Sequence, residues 1–108
     1  MGWTVETLNE TVDGELADLP EDMQARFVRI AELIEAVDLP NVREPHVKHV
    51  RGSIWEIRLK GRAGIGRALY VTASGKRVVV VRVFVKKTQK TPNSEIEIAI
   101  ARARELEK

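Results

Sequence analysis

The sequence predicts an α+β fold: an N-terminal strand and a two-helix hairpin packed on a mainly antiparallel sheet, with a C-terminal helix. Three observations lead there. Apolar residues recur at helical spacing over the first 45 residues, the period changes to about two from His46 onward, and helical spacing returns after Pro92. The connections between the predicted strands are too short for crossover helices, so consecutive strands pair antiparallel. The 108 residues suit one domain spanning 1–108.

Residues 3–8 alternate, Trp3, Val5 and Thr7 against Thr4, Glu6 and Leu8, and read as the first strand. Asn9 is then placed to cap a short helix carrying Val12, Leu16 and Leu19, which Gly14 weakens. Pro20 opens a stronger helix, because its fixed φ and missing N–H do no harm in a first turn, and Glu21 and Asp22 there suit the helix dipole. Met23, Phe27, Ile30, Ala31, Ile34 and Val37 make one apolar stripe, and Pro40 closes the element. Strands are expected at 46–51, 54–60, 65–72 and 77–85, with turns at Gly52-Ser53, 60–64 and 73–76. Residues 88–92 break the pattern, and Asn93 or Ser94 is placed to cap a last helix carrying Ile96, Ile100, Ala103 and Leu106. The helices are expected together on one face of the sheet.

Charge is divided along the chain. The formal net charge is only +2, yet residues 1–45 hold eleven acidic and three basic side chains, while residues 46–94 hold twelve basic ones and a single acid, Glu56. The acid belongs to the helical hairpin, whose outer faces should be solvated and negative. The base belongs to the strands and the segment after them. Such segregation suits a cationic working surface and a polyanionic partner such as nucleic acid.

Composition removes other classes. With 44% apolar and 31% charged residues the chain can bury a core. It has no cysteine, which excludes disulfide scaffolds, thiol nucleophiles and Cys-ligated metal sites. No charged-then-apolar leader opens the sequence, and the longest apolar run, residues 78–81, is far short of a membrane span. A cytoplasmic protein with no membrane partner is expected.

Strand parity locates the positive charge. In 54–60, Trp55, Ile57 and Leu59 share one face and Ile54, Glu56, Arg58 and Lys60 the other. In 77–85, Val79, Val81, Val83 and Val85 are expected to meet the helices, leaving Val78, Val80, Arg82, Phe84 and Lys86 opposite. If Gly66, Ala68 and Tyr70 also face the helices, Arg67 joins Arg58, Lys60, Arg82 and Lys86 on one open surface. A lone outward cation is ordinarily just solvated. Several on neighbouring strands repel, so a sheet without functional demand would mix the signs. Phe84 either belongs to the core or stacks a base within this face.

Other chemistry finds little support. His46 and His49 lack a third ligand, and neither a metal site nor a cofactor is expected. Gly61, Gly64 and Gly66 are not followed by a helix, so a nucleotide-binding loop is unsupported, and Gly64 and Gly66 more simply shape the start of a strand.

Three stretches carry a family resemblance: Trp55-Glu56-Ile57-Arg58-Leu59-Lys60-Gly61, Gly66-Arg67-Ala68-Leu69-Tyr70, and Phe84-Val85-Lys86-Lys87-Thr88-Gln89-Lys90-Thr91-Pro92. Together with the hairpin-then-meander layout they resemble the RelE/ParE toxin superfamily, in its HigB-like, phage-derived branch. The resemblance implies the toxin of a type II toxin–antitoxin pair, a ribosome-dependent endoribonuclease that cuts mRNA without a metal. It implies as partners an antitoxin with a helix-turn-helix domain, mRNA and the ribosome. In this chemistry the RNA 2′-OH attacks the adjacent phosphate, which needs a base, cations on the developing phosphorane, and an acid for the 5′-oxygen.

Arg58 and Arg67 match cationic positions of relatives, with Lys86 and Lys87 as further catalytic candidates; Lys48, Lys60, Arg82, Phe84 and Lys90 are the RNA-binding candidates. Relatives often place a Tyr, His or Asp late in the chain. This sequence instead offers Lys86, Lys87, Thr88, Lys90, Thr91 and Glu95 there, and its one tyrosine, Tyr70, falls in the sheet. A lysine whose pKa is lowered by cationic neighbours is one candidate base, and His49 is another acid or base candidate. Two other functions share the fold or the charge: a ParE-like gyrase-inhibiting toxin, and a non-catalytic RNA-binding module.

Overall fold

The computed structural model describes residues 2–86 and 90–107. The first strand, β1 (Thr4–Thr7), leads into α1 (Glu10–Ala17) and α2 (Glu21–Val37). The meander follows as β2 (Val47–Arg51), β3 (Ile54–Gly61), β4 (Gly64–Ala73) and β5 (Arg77–Lys86), and α3 (Asn93–Ala103) comes last. The sheet has five strands in the order β1-β5-β4-β3-β2. The meander is antiparallel throughout, and β1 runs parallel to β5, with Thr4 opposite Arg77 and Thr7 opposite Val80.

Local chemistry sets the helix ends. Asn9 caps α1 as its sequence position predicts, its side-chain oxygen accepting the Val12 N–H at 3.1 Å. At the far end of α2, Asp38 turns to φ 72° while its N–H still donates to the Ile34 carbonyl at 2.9 Å, and a 3₁₀ turn over Leu39–Asn41 follows. The N-cap of α3 is Pro92 rather than Asn93 or Ser94. Asn93 is already helical, and its side-chain oxygen accepts from Arg51 Nη2 at 2.7 Å across to the end of β2.

The helices do not share one face, contrary to expectation. Val12, Leu19, Met23, Phe27, Ile30 and Ile34 of the hairpin region pack on Ile57, Leu59, Ala68, Tyr70, Val78, Val80 and Val83. The other face carries Ile54, Leu69, Val71, Val79, Val81 and Phe84, and α3 covers it with Ala99, Ile100 and Ala103. A β-bulge also breaks the expected strand parity. Leu69 pairs with Arg82 but Tyr70 pairs with Val80, which leaves Val81 as the extra residue. Strict alternation therefore fails at Val81–Arg82: Val78 and Val80 face the hairpin, whereas Val79 and Val81 turn to α3. Burying an apolar side chain of this size is worth roughly 1.5–3 kcal/mol, so a sheet apolar on both faces needs helices on both.

Close approach of α2 to the sheet depends on two glycines. A Cβ on Gly66 would stand 2.9 Å from Met23 Sδ and 3.3 Å from Leu59 Cβ. On Gly61 it would stand 2.8 Å from Asp22 Oδ2, whose carboxylate accepts the Arg62 N–H at 3.0 Å.

Candidate nucleic-acid interface

Register places the cations in rows across the α3 side of the sheet. Lys48, Glu56, Leu69 and Arg82 form one row, Arg58, Arg67 and Phe84 the next, and Lys60, Ile65 and Lys86 the last. The parity reading of β3 and β4 therefore holds, and Arg58, Lys60, Arg67, Arg82 and Lys86 do lie on one side. They do not form one open surface.

Arg67 is wholly buried, and its Nε lies 3.7 Å from Glu56 Oε1. Arg58, with 21% of its side chain exposed, lies 3.4 Å from Glu56 Oε2. One buried carboxylate thus turns one oxygen to each guanidinium, and the Thr91 hydroxyl donates to Oε1 from the segment before α3. Burial pulls the Arg67 pKa below its usual value; Glu56 opposes this, and Arg58 adds to it. A guanidinium still stays protonated at neutral pH, so the cluster keeps its positive charge. Around the cluster, Lys48, Lys60, Lys86 and Lys90 are exposed. A cavity of about 270 Å³ opens beside Glu56 and Thr91, lined also by Lys48, Arg51, Lys90 and Asn93.

Arg82 is engaged elsewhere. Its Nη1 donates to Glu15 Oε2 at 2.7 Å and its Nε to Glu95 Oε1 at 2.6 Å, and these carboxylates raise its pKa, the Glu95 hydrogen bond most. Glu15 also accepts the Val83 N–H and a bond from Arg102 Nη1, each at 3.0 Å, just past the point where β1 stops covering β5. Glu15 therefore turns inward instead of joining a solvated acidic face, and Arg82 clasps α1, β5 and α3 together. Phe84 is 8% exposed and packs in the α3-side core, so its ring is not offered for stacking.

The remaining candidates separate from the arginines. His49 pairs with Trp55 on the opposite face, its ring edge-on to the indole at 5.0 Å and its Nε2 2.8 Å from the Gly52 carbonyl. Tyr70 is buried in the hairpin-side core, and burial pushes its pKa up. Lys87 lies outside the described residues. Among the described residues no group of three His, Cys, Asp or Glu is arranged to hold a metal ion. No helix is long and apolar enough to cross a membrane, again among the described residues.

In the sequence Glu56 reads only as a charge able to compensate its neighbours, with nothing to connect it to Thr91. Its position as the lone acid among twelve bases was the available signal. The inward turn of Glu15 left none, because it depends on where β1 ends.

A mixed sheet with a helical hairpin on one face and a terminal helix on the other is a RelE-like architecture. A chain of the archaeal RelE–RelB complex from Pyrococcus horikoshii OT3 superposes with a TM-score of 0.60, at 21% identity, over 79% of this chain and 96% of that one. The sequence profile of the phage-derived Gp49-like proteins (DUF891) matches residues 14–104, and the chain belongs to that family. No curated protein matches in sequence. The RelE/ParE resemblance read from the three motifs is borne out in fold and in phage-derived branch.

Proposed function

We propose that this protein is the toxin of a type II toxin–antitoxin pair and cleaves mRNA on the ribosome without a metal. The observation that carries the reading is the Arg58–Glu56–Arg67 cluster on a sheet face bordered by Lys48, Lys60, Lys86 and Lys90. The neighbour's pairing with RelB supports an antitoxin partner, here a helix-turn-helix protein.

In this reading the face seats an RNA phosphodiester at the partly exposed Arg58, with the buried Arg67 charge directly behind it. The 2′-oxygen attacks phosphorus and gives up its proton, the bond to the 5′-oxygen breaks, and that oxygen takes a proton as it leaves. A 2′,3′-cyclic phosphate and a 5′-hydroxyl end result. Arg58 and Arg67 would neutralise the charge that builds on the phosphorane, in a pocket where fixed cations act more strongly than in water. Glu56 would be their positioning residue, and Lys60, Lys86 and Lys90 would hold the flanking backbone.

The test is to induce the chain alone and map transcript 5′ ends. New codon-phased ends support ribosome-dependent cleavage. Intact transcripts with trapped gyrase and a DNA-damage response mark a gyrase poison instead, and unaffected growth leaves a binding module.

A further inference from the structure

A second cavity, of about 250 Å³, lies beside the arginine pair and is lined by Arg26, Pro45, His46, Arg58, Lys60 and Ile65. Its polar groups converge from three parts of the chain: Arg26 from α2, His46 from the segment before β2, and Arg58 and Lys60 from β3. No carboxylate lines it.

Strand lengths create this cleft. The ladder between β2 and β3 ends at the Val47–Ile57 pair, and a single further bond, from the Arg58 N–H to the His46 carbonyl at 2.9 Å, fixes the preceding segment. Beyond it β2 leaves the edge of β3 uncovered. Under that same end Gly61 admits Asp22 and Met23 of α2, and Arg26 follows one turn later. Arg26 and Lys60 are exposed. Cations gathered in a small concavity with apolar walls, here Pro45 and Ile65, repel one another and focus a positive potential, which an anion relieves.

We infer that this cleft is a phosphate subsite for single-stranded RNA, seating a backbone phosphate next to the one held at Arg58 above the buried Arg67. Arg58 lines the cleft and also belongs to the arginine pair, so the two positions are contiguous. The volume is below the ~300–1,000 Å³ typical of sites for drug-sized molecules, which suits a phosphate with its ribose and leaves the base outside. Recognition there would be independent of sequence. The inference rests on the RNA reading above and adds Arg26 and His46 to the surface that reading uses.

The test is salt-dependent binding of a labelled 2′-O-methyl hexanucleotide, which lacks the attacking hydroxyl, to the full chain. The Arg26→Gln protein should bind about tenfold more weakly, with a log K against log salt slope shallower by roughly 0.7, one single-strand phosphate. Arg29→Gln, an exposed change on α2 outside the cleft, should bind as wild type. Wild-type affinity and slope in Arg26→Gln overturn the subsite while leaving the RNA reading intact. An equal loss from Arg29→Gln also overturns it, because the effect is then general charge. A wild-type chain that fails to bind the hexanucleotide at low salt overturns the RNA reading and the subsite together.

Discussion

Arg58 and Arg67 stand directly opposite one another on β3 and β4, and Glu56 turns one carboxylate oxygen to each. Like charges paired across a ladder are destabilising, and here one member is fully buried. A carboxylate shared by two guanidiniums holds the pair in place and leaves it positive.

Removing the shared carboxylate should therefore cost stability. Glu56→Gln keeps the size and a hydrogen-bonding group for Thr91 but leaves two facing guanidiniums without their common anion. Breaking a buried ion pair typically costs about 3–5 kcal/mol, and the partial exposure of Arg58 favours the lower end of that range. Urea denaturation measures the loss. A variant as stable as wild type would contradict this role for Glu56.

The clasp at the free edge of β5 should be a second stability determinant, independent of the first. Glu15→Ala strips Arg82 and Arg102 of a shared acceptor and leaves the Val83 N–H unsatisfied. We expect a loss of about 3 kcal/mol, from the usual cost of orphaned donors to charged partners. Amide hydrogen exchange should quicken at Val83. Protection unchanged there would sink the assignment.

Legibility of the fold stopped where long-range register took over. Asn9, the α2 stripe as far as Ile34 and the alternation of β3 and β4 are local signals, and each falls where the sequence places it, whereas Val37 at the end of that stripe is exposed. The bulge at Val81 is not local. It depends on how β4 meets β5, and a run of valines reads the same on either face. That one extra residue splits the expected valine face, leaving Val79 and Val81 toward α3 and Val83 toward the hairpin. The site was legible in kind, as arginines on one side of the sheet. Their burial and their shared carboxylate were not, because exposure depends on what packs above them.

Gly66 should resist replacement for a packing reason. In Gly66→Ala the new methyl meets Met23 Sδ and Leu59 Cβ within the hairpin-side core. Overpacking of this kind costs typically about 1–3 kcal/mol. In a Met23→Ala background, which vacates the space, the same Gly66→Ala change should cost less in thermal denaturation. An equal cost in both backgrounds would place the strain elsewhere.

A pH effect is expected at the parallel edge. Arg77 donates to Glu6 through Nε at 3.0 Å and Nη2 at 3.2 Å, and this hydrogen bonding holds the Glu6 carboxyl below the usual glutamate range. A lowered folded-state pKa means the pair contributes stability above the unfolded glutamate pKa and loses it as pH falls through the folded value. The contribution is small, because both side chains are substantially exposed. NMR titration should find the Glu6 pKa higher in Arg77→Ala than in the wild type. A Glu6 value unchanged by that substitution would contradict the assignment.

Sequencing of 2′,3′-cyclic phosphate ends in cells shows whether the arginine face cleaves RNA. Wild-type protein induced without its antitoxin should generate new cyclic-phosphate ends within codons. Arg67→Ala should lower their yield by about 10²–10³-fold, the usual cost of removing one group that stabilises the transition-state charge. Circular dichroism should first confirm that the variant is folded, since its arginine is buried. Wild-type induction with no new cyclic-phosphate ends, or a folded Arg67→Ala protein that makes them as fast as wild type, would contradict the account.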